Sequence, residues 1–206
     1  KDCGIGTTGM STANQTAIAT AAPQEMYKWI EYWKLKFKAR TYTPLSDPHS
    51  NWTHELQTRA ESGLLGSYNK YLKSPFETFY VGGDGMSGSY GYAQETIALR
   101  GYDNGVFTPW RSGDGYAYTR FTAELHFPFM LQPSTTIYGL AFLEGGNAWT
   151  DVKDVSPFNL KRSAGAGVRI YLPMIGMMGI DWAYGFDKVF GEKGGSHFHF
   201  ILGQEF

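Results

Sequence analysis

The sequence contains one cysteine, Cys3, among its 206 residues. An internal disulfide needs two cysteines and a cysteine-rich metal site needs more, so both are excluded. The charges are nearly balanced, with 18 lysines and arginines against 19 aspartates and glutamates. Because nucleic-acid binding depends on a strongly basic surface, no nucleic-acid partner is expected.

Long uninterrupted hydrophobic runs are also missing. A membrane-spanning helix needs about 18 or more consecutive apolar residues. The nearest candidate, residues 170–183, is interrupted by Pro173, Gly176, Gly179 and Asp181, so no membrane helix is predicted. Residues 1–26 are polar and rich in small side chains, without a hydrophobic export signal. We therefore expect any export signal to lie upstream of residue 1.

The sequence does contain apolar and polar residues that alternate with a period of two, in segments separated by turn residues. Seven such segments are predicted as strands: residues 27–43, 52–65, 117–129, 136–149, 160–172, 178–186 and 196–206. Most are joined by short connections, which predicts an all-β, antiparallel, up-and-down meander. A long glycine-rich segment, about residues 66–115, separates the second strand from the third.

Two kinds of β-barrel show this alternation. A soluble barrel of the lipocalin kind turns its apolar face inward, whereas an outer-membrane barrel turns it toward lipid. The predicted strands are long for a soluble sheet, and Trp and Tyr residues lie near strand ends, as in interfacial girdles. Both features favour a membrane barrel. Because bacterial barrels normally have an even number of strands, we expect the missing strands to precede residue 1.

The alternation also predicts which side chains face lipid and which face the barrel lumen. The lipid-facing set is Trp33, Phe37, Phe121, Phe127, Trp182 and Phe200. The lumen-facing set is Lys36, Arg40, Arg59, Glu124, Glu144 and Arg169. So many charged inward positions indicate a wide, hydrated interior.

Other chemical signals are weak. Residues 83–88 fit the pattern G-x-G-x-x-G, but no helix follows them, so a flexible loop is predicted rather than a dinucleotide site. His197 and His199 share one strand face, but no third ligand has a suitable spacing, so they are interpreted as lumenal polar residues rather than metal ligands. No arrangement of residues suggests a catalytic nucleophile. We expect neither a cofactor nor an enzymatic activity.

Four separated motifs carry more information than any single residue. They are residues 75–83, rich in aromatics and ending in Gly-Gly; residues 99–102, Leu-Arg-Gly-Tyr; residues 142–149, Phe-Leu-Glu-Gly-Gly-Asn-Ala-Trp; and residues 198–206, Phe-His-Phe-Ile-Leu-Gly-Gln-Glu-Phe. Over about residues 27–206 the sequence resembles the C-terminal half of BamA-type outer-membrane barrel assembly proteins, with the motifs in the family's order. Glu144 stands where that family has aspartate.

The resemblance implies the C-terminal seven or so strands of a larger barrel of about sixteen strands. It also implies a loop lock, in which the long loop folds into the barrel and its arginine meets acidic side chains on the inner wall. The residues carried over to this lock are Leu99, Arg100, Gly101, Tyr102, Glu124 and Glu144. Alternation places both glutamates on the inward face of adjacent strands. The alternative is that Arg100 is a solvated loop residue.

The resemblance further implies that the protein inserts and folds other outer-membrane β-barrels through a lateral seam at its last strand. The residues of this seam are Phe198, Phe200, Leu202, Gly203 and Phe206. Gly203 is expected inside the strand, where it either permits a bend or makes room for an aromatic neighbour. The implied location is the bacterial outer membrane. The implied partners are client outer-membrane proteins, accessory lipoprotein subunits of a BAM complex and outer-membrane lipids.

The implied topology puts the end of the last strand in the periplasm. Counting back along the strands, residues 1–26 and the loop at about 66–115 are expected to be extracellular. Two other functional classes are left open. One is a secretion pore or a TamA-like assembly factor of the same superfamily, and the other is an ordinary porin or receptor barrel.

Overall fold

The computed structural model describes residues 31–46, 54–68, 73–85, 94–108, 115–132, 134–174, 176–189 and 195–203. The segment 1–26, part of the G-x-G-x-x-G sequence at 83–88, and Phe206 lie outside these ranges. Among the described residues, no helix is both long enough and apolar enough to cross a membrane.

Within the described ranges, nine strands form in chain order: β1 (Tyr32–Pro44), β2 (Glu55–Ser67), β3 (Phe79–Val81), β4 (Glu95–Ile97), β5 (Ala117–Gln132), β6 (Thr135–Trp149), β7 (Lys161–Leu172), β8 (Gly176–Gly185) and β9 (Ser196–Leu202). Seven of them form one antiparallel sheet in the order β1-β2-β5-β6-β7-β8-β9. A 3-10 turn, Val152–Asp154, lies between β6 and β7. The prediction of an all-β meander that forms part of a barrel wall is confirmed.

The short strands β3 and β4 are a feature that the period-two pattern does not predict. They pair in parallel, with Phe79 opposite Glu95 and Val81 opposite Ile97, inside the segment interpreted as a long loop. Three residues are too few to show a periodicity, so the sequence alone carries no signal for this pair.

One strand boundary differs from the expectation, and one irregularity lies in a strand pair whose register the sequence does not predict. Strand β9 ends at Leu202, and Gly203 follows it with a positive φ of 113° rather than lying within the strand. The register between β5 and β6 shifts between Pro128 and Met130. Proline has no N–H to donate to the ladder, which accounts for an irregularity at this point.

The large sheet has two chemically distinct faces. We call the face on which residues 73–85 and 94–108 pack the loop face, and the opposite one the outer face. The predicted lipid-facing residues lie on the outer face, where Phe37 and Phe200 are 60% and 64% exposed. Phe127 packs there against the ring of His54. The predicted lumen-facing residues lie on the loop face.

Within the described part of the chain, the larger of two clusters of buried apolar residues lies between the loop and the sheet, and a smaller one consists of Leu140, Phe142 and Ala183. The larger cluster consists of Leu65, Phe79, Val81, Ile97, Leu99, Tyr102, Phe107, Tyr116, Tyr118 and Val189. Phe79 and Tyr118 meet edge to face with ring centroids 4.6 Å apart. The chain thus builds its apolar core where a loop covers the sheet, while the outer face stays exposed and apolar.

The expected topology has a direct test. Asp154 lies beyond β6, at the same end of the sheet as the loop, and the 98%-exposed Met174 lies in the β7–β8 turn at the opposite end. Single cysteines at these positions, in a Cys3→Ser background, would be exposed to an impermeant thiol reagent on intact cells. We expect labelling at position 154 and none at position 174 until the outer membrane is permeabilised. The reverse pattern would invert the topology.

Candidate functional site

The candidate site is built around the loop, of which the structure describes residues 73–85 and 94–108, and this loop contains short strands that form its frame. Strands β3 and β4 form this frame, and the backbones of Gly83 and Leu99 pair as an isolated bridge. Leu99 is fully buried, in the same cluster as Phe79 and Val81. This frame delivers the next residue, Arg100, to the loop face of the sheet.

The guanidinium group of Arg100 meets three carboxylates on three different strands. Its Nε donates to Glu144 Oε1 at 3.0 Å, its Nη2 to the same oxygen at 2.7 Å, and its Nη1 to Asp181 Oδ2 at 2.9 Å. Nη2 also donates to Glu124. The backbone N–H of Arg100 donates to Glu144 Oε2 at 2.8 Å. One loop residue therefore joins β5, β6 and β8.

These ion pairs are buried, so each charge depends on its partners. Arg100 is 2% exposed, and the three carboxylate side chains are buried as well. A buried charge is tolerated only when it is paired and hydrogen-bonded, and a planar guanidinium suits several carboxylates at once. The Arg100 guanidinium also lies 3.6 Å from the centre of the Phe142 ring, whose π face attracts a cation.

Two further arginines add positive charge beside the buried carboxylates. Arg120 Nη2 donates to Glu144 Oε1 at 2.8 Å, and Arg169 Nη2 donates to Asp181 Oδ2 at 2.7 Å. Three guanidinium groups thus face Glu124, Glu144 and Asp181, and Arg120 also lies 3.6 Å from the buried Glu61. Glu124 has a histidine neighbour, His126, at 3.3 Å, but no second guanidinium within salt-bridge distance among the described residues. Glu124 therefore depends most on Arg100.

Gly101 allows the loop to approach the wall closely. Its φ is +87°, in the left-handed region that glycine adopts easily. A Cβ at this position would lie 3.0 Å from the backbone N of Gly185 and 3.1 Å from the carbonyl carbon of Tyr184. There is no room for a side chain between the loop tip and β8.

Tyr102 completes the attachment. Its hydroxyl donates to the backbone carbonyl of Arg162 at 2.7 Å, at the start of β7, and its ring packs edge to face on Phe107. Burial raises the pKa of the Tyr102 hydroxyl to about 12, so it stays protonated and able to donate at physiological pH.

The loop also contacts both outer strands of the sheet. Lys34 and Lys36 of β1 bond to Glu95 at 2.9 and 3.0 Å. Burial raises the pKa of the Glu95 carboxyl, but hydrogen bonds from the two lysines outweigh it and hold that pKa below its usual value. On β9, His199 accepts a hydrogen bond from Gly101, and His197 lies 3.5 Å from Asp103. The loop therefore reaches across the sheet from its first strand to its last.

The structure brings together the residues that the sequence suggests for a lock. Leu99, Arg100, Gly101 and Tyr102 are all buried, and Arg100 contacts both Glu124 and Glu144. Sequence reasoning does not assign Asp181, Arg120 or His199 to this site. For Asp181 a signal exists, since it is the one charged residue in an otherwise largely apolar strand.

The predicted seam residues lie elsewhere. Phe198, Phe200 and Leu202 project from β9 on the outer face, each more than 60% exposed. A Cβ on Gly203 would meet nothing within 4 Å, so this glycine does not make room for an aromatic neighbour, and its positive φ supports a bend. Across the described residues, no group of acidic, histidine or cysteine side chains is arranged to hold a metal ion.

Long antiparallel strands, an exposed apolar outer face and a charged inner face that holds a folded loop define the wall of a transmembrane β-barrel with an internal loop. The family model of the Omp85 superfamily domain matches residues 7–206. The chain belongs to the Omp85 superfamily, whose members are non-enzymatic assembly and transport proteins of the outer membrane. No curated protein matches the sequence.

Proposed function

We propose that this protein inserts and folds outer-membrane β-barrel proteins, as BamA-type proteins do, through a seam at its last strand. The observation that carries the proposal is the short length of β9, which has seven residues in the part of the chain that the structure describes, whereas the other strands of the sheet have ten to sixteen. It ends at a glycine with positive φ and presents three large apolar side chains outward.

A short terminal strand suits a seam that opens. An exposed strand edge is a template for pairing, and unpaired backbone groups in hydrocarbon cost several kcal/mol each. A client strand that pairs with β9 supplies the missing hydrogen bonds by β-augmentation. The favourable folding of the client drives the reaction, and no nucleotide is needed.

The internal loop gives the wall the stiffness that such a seam needs. Contacts from Arg100, Tyr102 and Glu95 connect the loop to β8, β7 and β1 respectively. We propose that this loop lock holds the barrel wall in shape while β9 separates from its neighbour. The exposed apolar outer face suits outer-membrane lipids, and accessory lipoprotein subunits are proposed as further partners.

The proposal is tested by photocrosslinking from matched positions at one membrane depth. Phe200, Ile180 and Val168 are register partners across β9, β8 and β7, and all three lie on the outer face. A photoreactive amino acid at position 200 of the full-length protein should capture newly made barrel proteins in growing cells. The same probe at position 168 should capture lipid but no client.

Two results would count against insertion at this seam. Equal client capture at positions 168 and 200 would show contact that is not specific to β9. Capture of one soluble secreted polypeptide by probes on the loop face, with none at position 200, would instead identify a secretion pore of the same superfamily.

A further inference from the structure

The last strand and the loop tip are joined by a histidine that the lock does not use. His199 lies on the loop face of β9 and is 6% exposed. Its Nε2 lies 3.0 Å from the backbone nitrogen of Gly101, which donates the hydrogen bond. Gly101 directly follows Arg100, so β9 is connected through one ring nitrogen to the most tightly held point of the loop.

This hydrogen bond fixes the protonation state and the tautomer of His199. A backbone N–H can only donate, so Nε2 must be the acceptor and the ring proton must sit on Nδ1. A protonated imidazole carries hydrogens on both nitrogens and would direct an N–H at the Gly101 N–H. The hydrogen bond therefore exists only with the neutral ring.

Charged and titratable groups surround the ring on every packed element. His197 on β9 stacks on it with ring centroids 6.1 Å apart and planes at 18°. Asp181 faces it from β8, and Arg100 and Asp84 face it from the loop. Asp103, also on the loop, faces the neighbouring His197. Both signs of charge act on the ring, so its protonation responds to rearrangement of any of these groups.

We propose that His199 is a positioning residue that couples the loop tip to the last strand, holding them together when neutral and releasing them when protonated. Separation of β9 and loosening of residues 99–102 are then one event rather than two. This coupling goes beyond the proposed function, because it applies equally to a barrel that inserts clients and to one that secretes them.

The test is hydrogen–deuterium exchange of the full-length protein in detergent, with rates corrected for the intrinsic effect of pH. His199→Ala should speed exchange about two- to tenfold in peptides covering both residues 99–102 and residues 196–202, as expected for the loss of one hydrogen bond. His199→Gln keeps an acceptor oxygen and should restore slow exchange. Ser196→Ala, which removes the hydrogen bond that Trp182 donates to Ser196 on the outer face of β9, should leave exchange in residues 99–102 unchanged.

A pH series distinguishes a coupling of the loop tip to β9 through the neutral His199 ring from mere packing of the His199 side chain. As the pH is lowered from about 7.5 to about 4.5, the wild type should lose protection in both segments together when the imidazole protonates, whereas the His199→Gln protein should show no such step. Exchange that rises in only one segment, or an identical pH step in the His199→Gln protein, would overturn the proposal. If His199→Ala fails to fold, the comparison of wild type with His199→Gln still decides.

Discussion

Replacing Arg100 with alanine should destabilise the folded barrel by about 3–5 kcal/mol, the usual effect of removing one partner from a buried ion pair. The substitution leaves the three carboxylates in place but removes the cation that they share. Glu144 keeps Arg120 and Asp181 keeps Arg169, so the greatest loss falls on Glu124. Arg100→Lys should recover only part of the stability, because an ammonium group cannot form the planar fork that reaches three strands.

The measurement is unfolding of the full-length protein by denaturant in detergent or lipid vesicles, with cell growth as a second readout. Arg162→Ala is the matched control, since Arg162 pairs with Asp187 at 3.0 Å but its side chain is 71% exposed. The control should unfold at the wild-type midpoint. An Arg100→Ala protein that is as stable as the control would show that the contacts of Arg100 do not contribute to the free energy of unfolding.

Gly101→Ala should also detach the loop tip, by a different physical route. A left-handed backbone costs a non-glycine residue about 1–2 kcal/mol. The added Cβ would further press on backbone atoms of β8, which belong to the sheet and cannot move as a flexible side chain can. We expect the tip to shift outward, which would break the hydrogen bond from Gly101 to His199 and the one from Tyr102 to Arg162.

A second glycine serves as a control that distinguishes the cost of backbone strain from the cost of the steric clash between residue 101 and β8. Gly176, the first residue of β8, has a φ of +96°, and a Cβ added there would meet nothing within 4 Å. Gly176→Ala therefore measures strain alone. Proteolysis and unfolding of both variants should show a larger loss for Gly101→Ala, together with cleavage within residues 99–108. Equal losses for the two variants would mean that the tip is not held against β8.

The sequence predicts the large sheet well because a half-buried strand repeats every two residues. All seven long strands, and the faces of Phe200 and Arg169, follow from that period. The loop is different, since β3 and β4 have three residues each and their parallel pairing depends on the tertiary fold. No local pattern indicates it.

Some residues of the site can likewise be predicted from the sequence, and others cannot. Motifs that resemble a known family, combined with the inward facing of two glutamates, suggest Arg100, Glu124 and Glu144. The roles of Asp181 and His199 depend on how far the loop extends along the sheet, and on which residues of β8 and β9 come into register there. Alternation fixes the face of a residue but not its partner across a loop.

A double-mutant cycle between Arg100 and each of its three carboxylates tests the lock most directly. Single and paired alanine substitutions would be compared by the free energy of unfolding of the full-length protein. The contacts predict a coupling energy of about 1–3 kcal/mol with Glu124 and with Glu144. They predict a smaller coupling with Asp181, because the Arg100 side chain donates one hydrogen bond to Asp181 but two to Glu144, and because Arg169 continues to neutralise Asp181. Coupling energies of zero within error for all three pairs would contradict a loop held inside the barrel by this arginine.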